Sequence, residues 1–90
     1  MSQTESRKAE QLLTAARAEA LFASPLSMCS RPSLAEAADA IKMSMRSHGG
    51  TLGCAAEVAA VFGDYPDLAA HRMRWALATV EAVFSARRGG

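Results

Sequence analysis

Only two cysteines occur in the 90 residues, Cys29 and Cys54, and they do not form a CxxC pair. That excludes a small scaffold held by several disulfides and leaves no close pair to anchor a metal site. A site built from Cys29, Cys54, His48 and His71 would need four distant positions to converge, so neither metal nor cofactor is expected. Long hydrophobic runs are missing too. Nothing approaches the roughly 20 apolar residues of a membrane span, and no membrane partner is expected. The opening stretch MSQTESRKAEQ is polar and lacks the apolar centre of an export signal, which points to a cytoplasmic protein with reduced thiols. Aromatics are few, with one Trp, one Tyr and three Phe. So few large side chains make a substrate pocket hard to enclose. The formal net charge is +1, which gives no global basic footprint for nucleic acid. Period-two alternation and internal repeats are also absent.

What is present is alanine, 20 residues of the 90. It is the best helix former because its side chain has no rotamer entropy to lose. It lets helices approach closely but contributes little apolar area. A chain of this length buries only about 60–65% of its unfolded surface, so its core must be thin. A thin alanine core suggests help from a partner, most simply a second copy of the chain.

The expected fold is all-α, a four-helix domain spanning 1–90, with 1–5 and 88–90 flexible. The first helix is read from Glu5 to Ala23, with Ala9, Leu12, Leu13, Ala16, Ala20 and Leu21 on its apolar face. Ser24-Pro25 ends it, and 24–32 is a Ser- and Pro-rich loop pinned by Leu26 and Met28. Ser33 with Glu36 three residues later is a capping-box pattern that opens the second helix. Its stripe is read as Leu34, Ala37, Ala38, Ile41 and Met45, and Gly49-Gly50 ends it. Thr51 is expected to cap a third helix, Leu52 to Phe62, closed by Gly63. Asp64 or Tyr65 caps the fourth, with Pro66 and Asp67 in its first turn. That helix is read from Pro66 to Arg87. Ala69, Met73, Ala76, Val80 and Val83 form a heptad-like seam along it, widened by Leu77 and Phe84, which can pack inside the domain or against a second subunit.

The last two helices carry the sharpest functional pattern. Ala59 and Gly63 have the spacing of a helix-turn-helix, and the following helix offers His71, Arg72 and Arg74 to phosphates or base edges. Lys42 and Arg46 on the second helix are candidates for added backbone contacts. Two features oppose DNA. The bulky anchor expected six residues after Gly63 is Ala69, and the next apolar position is Arg72. Asp64 and Asp67 also place acid where phosphate would approach. The plain alternative is a helical hairpin with glycine as a cap.

Arg72 and Trp75 share a helix face three residues apart, which suits a cation–π pair. Trp75 is then either a core residue or part of an interface hot spot. The candidate interface residues are Met73, Trp75, Leu77, Val80 and Phe84. The segment Ser47 to Gly53 leads into a helix N-terminus but matches no phosphate-binding loop. His48-Gly49-Gly50 has no GxSxG elbow elsewhere in the chain to serve. A Cys54 nucleophile paired with His48 is weighed against Cys54 as a small apolar residue, and the latter is preferred. The sequence therefore argues against an enzyme.

Leu21-Phe22-Ala23-Ser24 with Leu26, then Gly53-Cys54-Ala55-Ala56, Val58-Ala59, Phe62-Gly63-Asp64, Pro66 and Arg72-Met73-Arg74-Trp75-Ala76, resembles small actinomycete (Streptomyces-like) proteins of unknown function. The likeness covers about a third of the chain. It implies a bacterial, cytoplasmic setting and carries no functional residue with it. The expectation is a small non-enzymatic regulatory protein using a helix-turn-helix-like unit on DNA. The alternative is a homodimeric protein–protein interaction module, in which the partner is a second copy or another protein.

Overall fold

The computed structural model describes residues 3–85. It contains four helices, α1 (Gln3–Phe22), α2 (Leu34–His48), α3 (Thr51–Asp64) and α4 (Pro66–Ser85), and no strand among the described residues. The all-α, four-helix reading holds. The flexible tail expected at 88–90 lies outside the described residues, as do the first two residues. From Gln3 to Glu5, where flexibility is also expected, the chain is already helical.

Local chemistry sets both ends of α2 and α3 and the start of α4. Ser33 and Glu36 form the capping box of α2. The Ser33 hydroxyl accepts from the Glu36 N–H at 3.1 Å, and the Glu36 carboxylate accepts from the Ser33 N–H at 2.8 Å. Ser33→Ala should lower stability by about 1 kcal/mol in urea titrations, because the Glu36 N–H loses its partner. Gly49 and Gly50 then turn the chain with φ of 80° and 95°, values an L side chain rarely adopts. Gly50 is the N-cap of α3, and Thr51, expected as the cap, is the first helical residue.

Gly63 does not close α3. It lies inside the last turn with a helical backbone, and the helix continues to Asp64. Pro66 is what breaks it. A residue before proline is excluded from the α region, and Tyr65 stands at φ −140°, ψ 70°. A single residue therefore separates α3 from α4, and Pro66 begins the new helix, where its missing N–H is not needed.

The core is as thin as the composition implies. Of the eleven buried hydrophobic residues among those described, six are alanines: Ala18, Ala20, Ala37, Ala40, Ala69 and Ala76. Leu21, Phe22, Val58 and Val80 supply most of the bulk, with Met73, Trp75, Val83 and Phe84 packed around them. Two expected faces move. In α1 the buried residues among those described lie in the C-terminal half, and Leu12 (69% exposed) and Leu13 stand in solvent. In α2 the buried line runs through Ala37, Ala40 and Ser44, rotated from the expected Leu34–Met45 stripe. Ser44 can face inward because its hydroxyl meets the buried Cys54 thiol at 3.8 Å.

Candidate interaction surface

The C-terminus of α1 receives a polar side chain from each of α2 and α4. A helix leaves its last carbonyls without intrahelical partners and carries partial negative charge there. Here the chain supplies donors from 25 to 51 residues away. Arg72 Nε donates to the Phe22 carbonyl at 2.8 Å, and its Nη2 donates to the carbonyls of Ser24 at 2.8 Å and Leu21 at 3.4 Å. His48 Nε2 donates to the Ala23 carbonyl at 3.2 Å, and the Ser24 hydroxyl to that of Leu21 at 2.6 Å. The guanidinium also lies 4.9 Å from the Trp75 ring and 5.8 Å from that of Phe22. Burial pulls its pKa down from the ordinary value. It remains a cation, because a guanidinium in this range does not deprotonate near neutral pH.

This geometry sorts the residues expected to touch DNA. Arg72 is half-buried and occupied by three carbonyls, a structural clamp rather than a free cation. Arg74 and His71 are exposed and joined, with Arg74 Nη2 donating to His71 Nδ1 at 3.1 Å. Lys42 and Arg46 are exposed on α2, a different helix. Asp64 and Asp67 stand exposed at the α3–α4 turn.

The expected interface residues are sorted too. Val80 is 2% exposed and lies in the chain's own core together with Ala69 and Ala76, so the seam of α4 packs inside the domain and cannot be a surface seam. Met73, Trp75 and Phe84 are half-buried against that core. Trp75 Nε1 donates to the Ser30 carbonyl at 3.2 Å, and Arg17 of α1 covers the Phe84 ring at 3.9 Å. Leu77 alone of the five is exposed. Trp75 also lines an open groove of about 410 Å³ between the 28–32 loop and α4, together with Ala78, Thr79, Ala82 and the exposed Cys29.

The surface that sequence reasoning missed is the outer side of α3. Its inner side is Cys54, Val58 and the half-buried Val61. On the opposite side Leu52, Ala56, Ala59, Ala60 and Gly63 follow helical spacings of four and three, and all five are exposed. Leu52 is 86% exposed. The two charged residues of α3, Glu57 and Asp64, fall on the flank between these sides. A surface helix normally turns charged residues outward, and a helix apolar all round is normally covered on all sides. The available signal was the run from Thr51 to Gly63, with one charge in thirteen residues. The exposed Leu12 and Leu13 differ, since Lys8, Glu10 and Gln11 stand among them.

Among the described residues no three His, Cys, Asp or Glu side chains gather as a metal site would require. None of the described helices is long and apolar enough to cross a membrane. No family model, curated protein or solved structure matches the chain.

Proposed function

We propose that the chain is a non-enzymatic helical interaction module that works as a homodimer, with the outer side of α3 as its docking surface. The observation that carries this reading is the row Leu52, Ala56, Ala59, Ala60 and Gly63, exposed and without a charge across most of α3. Burying that row against a second copy removes apolar surface from water, and its small side chains let two helix backbones approach closely. The small volume of this alanine-rich core gives the chain reason to gain stability from association.

A DNA-reading role draws less support. Arg72 is spent on α1, the one-residue link is shorter than a helix-turn-helix turn, and Asp64 and Asp67 repel phosphate at the start of α4.

Ala59→Arg tests the reading. The site is exposed, so the monomer should keep its helical circular dichroism and its unfolding midpoint at low concentration. A charge buried at a helix–helix contact should weaken association by about 2 kcal/mol or more, leaving monomer in light scattering where the parent chain is dimeric. A dimer unaffected by Ala59→Arg would place the contact elsewhere.

A further inference from the structure

Resting on that reading of α3, we infer that the two copies pair their α3 helices antiparallel about a two-fold axis, with Leu52 of each chain seated over Gly63 of the other. Four of the five residues of the row are self-complementary in an antiparallel pair. Leu52 and Gly63 stand equally far from the midpoint between Glu57 and Val58, and so do Ala56 and Ala59. A two-fold contact requires such reciprocity, because each residue meets its counterpart twice.

Gly63 gives the independent argument. Glycine inside a helix costs about 1 kcal/mol relative to alanine. Here it adopts no positive φ, and an added Cβ would meet nothing within 4 Å. Nothing in its own chain uses the missing side chain. A notch opposite a leucine that is 86% exposed does use it. The ends of α3 agree with this direction. No side chain caps its N-terminus, and its first turn holds no acid, whereas Asp64 stands exposed at its C-terminus. Antiparallel pairing sets Asp64 beside the positive end of the partner helix, while parallel pairing sets the two Asp64 carboxylates together. A 14-residue helix pair buries a small interface, below about 1,200 Å² in total, so the dimer should be in rapid exchange with monomer.

Cysteine cross-linking in the full chain, with the exposed native thiol removed (Cys29→Ser), tests the register. A mixture of Leu52→Cys and Gly63→Cys chains should form an inter-chain disulfide at least about tenfold faster than either alone, because only the mixed pair is held at effective concentrations near millimolar. Ala56→Cys mixed with Ala59→Cys should behave in the same way, which guards against one site being disturbed. Leu52→Cys linking to itself as fast as to Gly63→Cys would overturn the antiparallel register. A dimer in sedimentation that forms neither mixed disulfide would overturn the register while leaving the homodimer standing. A chain monomeric throughout would overturn both.

Discussion

Arg72→Ala should destabilise the chain by about 2–4 kcal/mol, read as a lower midpoint in urea with an unchanged slope. The loss comes from three carbonyls at the end of α1, those of Leu21, Phe22 and Ser24, that lose a charged donor at once. A hydrogen bond to a charged group contributes about 1.5–3 kcal/mol, and the carbonyls left behind are partly withheld from water. The flat ring of Trp75 also loses the cation stacked on it. Arg72→Lys should recover less than half of the loss, since an ammonium cannot reach several carbonyls in the fork geometry and stack at the same time. Arg74→Ala, at an exposed neighbour on the same helix, should change stability by no more than about 0.5 kcal/mol. Equal, small effects of the two substitutions would contradict the clamp.

Gly53→Ala is expected to be as damaging from a single added methyl group. A Cβ on Gly53 would overlap the backbone carbonyl of His48, which cannot swing aside as a side chain would. His48 in turn holds the Ala23 carbonyl, so displacing it loosens the end of α1 as well. A loss of about 3 kcal/mol or more follows, visible as a fall in the thermal midpoint of over about 10 °C for a domain of this size. Gly63→Ala is the matched control. It adds the same methyl to the same helix in open space, and should raise monomer stability by about 0.5–1 kcal/mol through helix propensity.

These two residues also show where the sequence was legible. The four helices followed from alanine content, the capping box at Ser33 and the breaks at Pro25, Gly49-Gly50 and Pro66, all of them local signals. The proximity of Arg72 to Trp75 followed from a three-residue spacing. That Arg72 reaches residues some 50 positions earlier could not be read from spacing, because it depends on how α4 lies against α1. A hint was present, since arginine occupied a position where a helix-turn-helix wants an apolar side chain. The burial of Val80 and the exposure of Leu12 were hidden for the same reason: periodicity finds the apolar side of a helix but not how much of its length is covered. Gly63 was misread because glycine after an apolar run looks like a cap, and only the backbone angles show it to be helical.

The Ala-rich outer side of α3 and the clamp at Arg72 divide the chain's polar and apolar resources. The cation expected to face a partner is turned inward to hold α1. The apolar row, with no use inside the chain, is turned outward. The most direct test of the resulting account is sedimentation velocity of the unmodified chain from about 1 μM to about 1 mM, the range over which a small interface should populate both states. The account predicts a mass rising with concentration from the 9.5 kDa of one chain toward twice that value and no further, since a two-fold contact closes on itself. A single 9.5 kDa species at every concentration would contradict it.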